Sequence, residues 1–128
     1  MRYRPVVLAL AALALFGPAP AQAAAVQRTT LQQQNFPTPL HTVTVRIEIQ
    51  PGGDVAPHTH PGAEMGFIVS GLAQVTIKGA APRRLATGDS FAVPPEAIHE
   101  VKNPGSEPLV ILSTYVVDPN RPLASPAK

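Results

Sequence analysis

The 128-residue chain contains no cysteine and no tryptophan, and aromatic residues make up only 5% of it. Without cysteine no disulfide can form, so the fold has to be stable without covalent cross-links. Charged residues are also scarce, at 14%, and the doublet Arg83-Arg84 is more typical of a solvated strand edge than of a phosphate site. A chain with so few aromatic residues and no basic cluster gives no support to nucleic-acid binding.

A long apolar run is present only at the N-terminus, from Val6 to Phe16, directly after Arg2 and Arg4. The run is too short to span a bilayer, and residues 21–23 follow it with a small-x-small cleavage pattern. These features predict a signal peptide over residues 1–23. We therefore expect a periplasmic or secreted protein without a stable membrane anchor.

Removal of the signal peptide changes the charge of the protein. Eight Lys and Arg then face eight Asp and Glu, so the remaining chain is near neutral. It is long enough for one domain with one core. Within it we expect a polar, irregular N-terminal arm over residues 24–40, a barrel over residues 41–118 and a flexible tail over residues 119–128.

From His41 onward the apolar residues follow a period of two, with Val43, Val45, Ile47 and Ile49 separated by polar residues. This pattern predicts a strand with one buried face. Turns containing Gly or Pro separate further short strands, which we predict at residues 55–60, 64–70, 72–78, 90–93, 98–102 and 109–117. No stretch after residue 23 keeps a helical period, so the fold class is all-β, a single-domain sandwich or barrel.

The predicted strand at residues 109–117 is apolar on both faces. One face fills the core, so something has to cover the other. The N-terminal arm could cover it within the chain, and a second copy of the chain could cover it equally well. The second arrangement predicts a homodimer.

Two of the four histidines lie in the segment HTHPGAE, residues 58–64. His58 and His60 are two apart on a strand and so point to the same face, while a proline-glycine turn lets Glu64 open the next strand. His99, after a rigid Pro-Pro turn, is the candidate for a fourth donor. Three imidazoles and one carboxylate suit one divalent transition metal, Fe, Mn, Ni, Cu, Co or Zn, and ligand type alone does not choose among them.

These residues also carry a resemblance to a known family. The chain is similar to the two motifs of the cupin superfamily, in Gly52-x5-His58-x-His60-x3-Glu64-x6-Gly71 and in Gly88-x5-Pro94-x-Glu96-x2-His99-x3-Asn103. The resemblance, to small single-domain cupins of the type-2 conserved barrel, covers essentially the whole chain after residue 23. It implies an antiparallel jelly-roll barrel with a metal ion in its mouth, bound by His58, His60, Glu64 and His99.

Glu96 departs from the second motif, which has glycine at this position. If the backbone needs a positive φ there, a residue with a Cβ costs roughly 1 kcal/mol. We interpret the departure as a turn of another type, with Glu96 as a solvated turn residue. The alternative places its carboxylate at the rim of the pocket.

An inward Glu64 would place Gly66, Ile68 and Ser70 on the same inner face, with Gly66 leaving open volume beside the metal. The chain has no Ser-His-Asp set and no carboxylate pair placed for acid–base work. Any chemistry would therefore depend on the metal, with Glu64 as the candidate catalytic base.

Two functions fit these residues. The first is a metalloenzyme, dioxygenase-like or isomerase- or lyase-like, acting on a small organic molecule that chelates the metal; this step is an analogy with the family. The second is a non-catalytic protein that binds a metal or small ligand, which a scarcity of acids and bases favours. Beyond the four donors, only His41 and Tyr115 are candidates for proton transfer, and we interpret them as an ordinary strand-start residue and a core or interface aromatic.

Overall fold

The computed structural model describes residues 25–35 and 39–128, and the predicted signal peptide lies outside them. These residues form two antiparallel five-stranded sheets with strand orders β1-β2-β9-β4-β7 and β10-β3-β8-β5-β6. The strands are β1 Val26–Asn35, β2 His41–Ile49, β3 Asp54–Thr59, β4 Gly62–Ser70, β5 Leu72–Ile77, β6 Arg83–Ala86, β7 Ser90–Val93, β8 His99–Lys102, β9 Leu109–Val117 and β10 Ser125–Pro126.

The chain changes sheet at most of its turns. Only the connections β1–β2 and β5–β6, among the described residues, join two strands of the same sheet. This arrangement is an antiparallel jelly roll, which confirms the predicted all-β fold. No helix within residues 25–35 and 39–128 is long and apolar enough to cross a bilayer.

The core lies between the two sheets and is built from alternating residues. On β2, Val43, Val45, Ile47 and Ile49 are buried, as their period of two predicts. The other strands complete the core in the same way, with Ile68, Ala73, Val75, Leu85, Phe91, Val93, Val101, Leu109, Ile111, Tyr115 and Val117. Each fully buried aliphatic side chain contributes roughly 1.5–3 kcal/mol of transfer free energy.

Strands β1, β6 and β10 are not among those predicted from the sequence. β1 occupies the predicted irregular arm, and its residues are almost all exposed, so they show no alternation of polar and apolar residues. β10 comprises two residues of the predicted tail, paired with β3. Backbone pairing to a neighbouring strand, rather than burial of one face, defines β1 and β10, whereas β6 buries Leu85 in the core. Flexibility of the tail stays a prediction.

The arm does not cover the outer face of β9. Its strand β1 pairs with β2 along nearly its whole length and so extends the first sheet sideways. Of the two alternatives for covering this face, the arm is therefore excluded for residues 26–35, because β1 instead satisfies the backbone groups of the β2 edge. On the same outer face Met65 and Phe67 remain 45% and 46% exposed.

Candidate metal centre

The four predicted donors come from both sheets. β3 and β8 are neighbours, and their register places His58 directly opposite His99. His60 lies in the turn between β3 and β4, and Glu64 lies on β4 in the other sheet. The fold thereby brings one ligand atom from each residue within 4.8 Å of all the others.

The cluster lies in the wall of a cavity of about 370 Å³ between the sheets. His60, Glu64 and His99 are buried, with 4%, 4% and 2% of their surface exposed. His58 is partly exposed and is the most accessible of the four. So much polar surface is tolerated in the interior because each group has hydrogen-bond partners.

Backbone carbonyls fix the tautomers of the three histidines. A carbonyl oxygen can only accept a hydrogen bond, so an imidazole nitrogen that contacts one carries the hydrogen. In each ring that nitrogen is Nδ1, which leaves Nε2 directed at the centre, the orientation in which a neutral imidazole offers its lone pair to a metal. The contacts are His58 to Ala56 at 2.8 Å, His60 to Leu123 at 2.6 Å and His99 to Ala97 at 3.0 Å.

The inner atoms are spaced as ligands of a common ion. His58 Nε2 lies 3.1 Å from His60 Nε2, and Glu64 Oε2 lies 3.2 Å from His60 Nε2 and 3.0 Å from His99 Nε2. Ligands at right angles on an ion with bonds of about 2.1 Å lie about 3.0 Å apart. Four electron-rich atoms facing one another need protons or a cation between them, so this donor set fits a divalent transition metal.

Glu64 is held in its ionised form. Burial raises the pKa of this carboxyl, but hydrogen bonds from His60, His99 and Ser113 outweigh burial and bring the pKa well below its usual range. Ser113 Oγ donates to Glu64 Oε1 at 2.7 Å, which leaves Oε2 to face the histidines. At neutral pH the centre therefore contains a carboxylate.

His58 and His99 differ in their protonation. Burial lowers the pKa of His58, which favours the neutral ring. Burial also acts to lower the pKa of His99, but its hydrogen bond with Glu64 prevails and the pKa is raised. His99 faces an oxygen acceptor at each nitrogen, the carbonyl of Ala97 and the carboxylate of Glu64, so its surroundings favour the protonated ring. A metal ion at this ring would therefore compete with a proton.

Two expectations about the pocket wall are wrong. The space beside Gly66 is filled, since a Cβ there would lie 2.2 Å from Phe91 Cζ. Ser70 is exposed, because a register shift between Ile68 and Ser70 interrupts the alternation of β4 against β9. Ile68 is fully buried, as predicted.

Glu96 has a φ of 64°, so its interpretation as a turn of another type is wrong. The backbone takes the left-handed conformation that the motif glycine would favour, and its N–H donates to the carbonyl of His60 at 3.0 Å. The side chain is exposed and pairs with Arg121 at 2.5 Å instead of lining the cavity. The turn before His99 is thus tied directly to the His60 turn.

Three residues that contribute to the centre or its cavity were not identified from the sequence. Ser113 stands in an apolar strand, where its parity with Tyr115 on the inner face was the available signal. Leu123 acts through its backbone carbonyl, which leaves no mark in the sequence. Arg28 lines the cavity from β1, a strand without an alternating pattern. Tyr115 is a buried core aromatic, as interpreted, with its ring 4.7 Å from that of His60.

The fold and the centre together define a class: small jelly-roll barrels with three histidines and one glutamate facing a common point. The family model described as Cupin domain matches residues 45–115 of this chain. The chain therefore belongs to the cupin domain family.

A curated plant protein is similar in sequence to part of this chain. The chain is 36% identical over 75 residues to the rhicadhesin receptor of Pisum sativum, a match that covers 55% of this chain and 35% of the receptor. The chain thus spans about a third of the length of that curated relative.

Two solved structures extend the comparison. A double-stranded β-helix protein from Klebsiella pneumoniae is 24% identical with a TM-score of 0.67, over 84% of this chain and 89% of that one, and shows the fold alone. An oxalate oxidase structure is 26% identical with a TM-score of 0.55, over 58% of this chain and 41% of that one.

Proposed function

We propose that this chain is an exported, metal-dependent cupin enzyme that acts on a small, chelating organic molecule. His58, His60, Glu64 and His99 bind one divalent transition metal, and residues 1–23 direct the protein to the periplasm or out of the cell. The observation that carries the proposal is the convergence of three Nε2 atoms and one carboxylate oxygen, with all three tautomers set by backbone carbonyls. The similar oxalate oxidase supports it, since that protein is named for an oxidation of a small organic acid.

The residues around the centre define what the chain itself contributes. A bound ion would supply Lewis-acid chemistry, and one-electron chemistry if it is redox-active. The backbone carbonyls orient the imidazoles, and the apolar walls exclude water. Glu64 would hold the ion and is our candidate catalytic base, a role that would require its release from the hydrogen bonds that hold its pKa low. While those bonds persist, Glu64 is a weaker base than an ordinary carboxylate.

A second function, metal or small-ligand binding without turnover, is favoured by the other titratable groups of the cavity. Besides the four donors, the described residues that line it include Arg28 and Tyr115 as titratable groups. Arginine stays protonated at all working pH values. Burial and the nearby Glu64 carboxylate raise the pKa of Tyr115 far above neutrality. Neither residue is a ready general acid or base at neutral pH.

Elemental mass spectrometry of the purified full chain, without a polyhistidine tag, tests the metal site. We expect near-stoichiometric metal in the wild-type protein and none in the His58→Ala/His99→Ala double variant. A His41→Ala variant is the matched control, because it removes a histidine that does not line the cavity.

The identity of the metal then directs the test of catalysis. A redox-active metal calls for a screen of chelating substrates under O₂, with O₂ consumption as the measurement. Zinc directs the screen to isomerisation and lyase reactions. Saturable ligand binding without turnover would select the second function. A protein that retains no metal even after reconstitution would overturn the metalloenzyme and the metal-binding role, and would leave only small-ligand binding.

A further inference from the structure

The cavity beside the metal centre is apolar apart from a few groups. Among the described residues that line it, Arg28 is the one that carries a permanent positive charge. Most other walls are aliphatic or aromatic: Val45, Ile47, Val55, Phe91, Val101, Ile111 and Leu123. A single arginine among such walls is the arrangement that orients a small ligand in an otherwise apolar pocket.

The strand register explains why Arg28 faces the cavity. Arg28 on β1 lies opposite Ile47 on β2, and partners in an antiparallel pair point to the same side of the sheet. Ile47 is buried in the core, so the same side of β1 is turned toward the cavity, and Arg28 lines the cavity while it remains exposed. Burial raises the pKa of the Tyr115 hydroxyl, and the positive charge of Arg28 acts against this rise. Tyr115 in turn packs against the ring of His60.

The guanidinium of Arg28 lacks an anionic partner. Within residues 25–35 and 39–128, no carboxylate forms an ion pair with it, whereas Arg46 pairs with Glu48 and Arg121 pairs with Glu96. A guanidinium presents five N–H donors in a planar fork that matches a carboxylate. Because Arg28 lines the cavity, these donors are available to a ligand there.

We propose that Arg28 forms an anion subsite, and that the ligand is a small carboxylate with an apolar body. One end of this ligand reaches the metal centre, and its carboxylate is bound by Arg28. The inference deepens the proposed function and rests on it for the role of the centre. Charge supports it: a divalent ion with the Glu64 carboxylate leaves one net positive charge, and Arg28 adds a second. A cavity with this excess of positive charge selects anions.

A structural role for Arg28 makes a different prediction. An inward-pointing charge on an edge strand such as β1 hinders edge-to-edge pairing with another chain. In that case replacement of Arg28 would change self-association and leave the affinity for small anions as it is.

Isothermal titration calorimetry with benzoate and its neutral analogue benzamide distinguishes the two roles. The full-length protein is titrated both loaded with metal and stripped by a chelator, as wild type, Arg28→Gln and Arg28→Lys. Arg46→Gln is the matched control, since it removes one positive charge from the adjacent strand without removing a cavity-lining residue.

We expect Arg28→Gln to weaken benzoate binding about tenfold or more and Arg28→Lys to weaken it less. Benzamide binding should stay unchanged, and Arg46→Gln should match the wild type within about twofold.

The outcomes separate this inference from the proposed function. Equal benzoate affinities for Arg28→Gln and Arg46→Gln, or no benzoate binding by the wild type at millimolar concentration, would overturn the subsite. Metal content is measured on the same samples. If the wild type holds no metal yet its stripped form binds benzoate through Arg28, the metal proposal fails while the subsite stands. If metal is present and Arg28→Gln leaves benzoate binding unchanged, the subsite fails while the metal proposal stands.

Discussion

Ser113 donates its hydrogen bond to Glu64 from the middle of β9, where both groups are buried. Ser113→Ala leaves one carboxylate oxygen without this donor. We expect the metal affinity to fall about tenfold or more, because the partner that orients a ligand tunes its binding. Competition with a chromogenic chelator measures the change. The exposed Ser70→Ala is the control, and an unchanged affinity in Ser113→Ala would show that Ser113 does not orient Glu64.

Glu96 combines a costly backbone conformation with an exposed ion pair. Glu96→Gly relieves the left-handed φ, so we expect the free energy of unfolding to rise by about 1 kcal/mol. Glu96→Gln keeps the backbone and removes only the charge, so a change below about 0.5 kcal/mol is expected. Urea denaturation measures both variants. A destabilised Glu96→Gly protein would mean that the Glu96–Arg121 pair outweighs the strain.

At the scale of elements, the segment that follows β9 closes one side of the cavity. Leu123 accepts the hydrogen bond of His60 Nδ1, and β10 pairs with β3 next to His58. The N–H of Ala127 adds a further bond to the carbonyl of Pro57. The predicted flexible tail is therefore in contact with two of the four donors.

Deletion of residues 119–128 tests this contact. His60 then loses its carbonyl partner, so we expect metal affinity to fall about tenfold or more while the barrel stays folded. Chelator competition and circular dichroism measure the two effects. Arg121→Gln is the mild control, because an exposed ion pair contributes at most about 1 kcal/mol. An unchanged affinity after the deletion would leave the tail with no role at the centre.

The whole molecule retains an apolar outer face on its first sheet. Phe67 is half exposed beside Leu112 of β9, and Met65 lies on the same face. We propose that a second copy of the chain covers this face in a homodimer, as the two apolar faces of β9 predict. Phe67→Lys should then shift the protein from dimer to monomer in analytical ultracentrifugation. Leu31→Lys on the exposed strand β1 is the control, and a monomeric wild type would refute the proposal.

Metal binding should stabilise the whole barrel, because the donors join both sheets. With free metal at about 100 times its Kd, we expect roughly 2.7 kcal/mol of added stability and a higher thermal midpoint. The gain should decrease as the pH falls, since protons compete with the ion at His99, whose pKa is raised by its hydrogen bond with Glu64 against the effect of burial. Calorimetry with and without a chelator measures it. The His58→Ala/His99→Ala variant should show no such difference.

Much of the fold could be predicted from the sequence because local residue patterns specify which strand faces are buried and where strands end. The alternation of Val43, Val45, Ile47 and Ile49 determines which face of β2 is buried, whatever surrounds it. The spacing of His58, His60 and Glu64 around a proline-glycine turn is likewise local, so it determined where these donors would lie. The Gly and Pro turns marked most of the remaining strand ends.

Other features were decided only by contacts between distant segments. The Phe91 ring fills the space beside Gly66, and the Leu123 carbonyl orients His60 from 63 residues away. Arg28 faces the cavity because β1 pairs with β2, although β1 shows no pattern of its own. The sequence by itself determined which residues could bind a metal. The tertiary structure decided what orients and surrounds them, because a backbone carbonyl, a filled space or an edge-strand pairing has no local signature in the sequence.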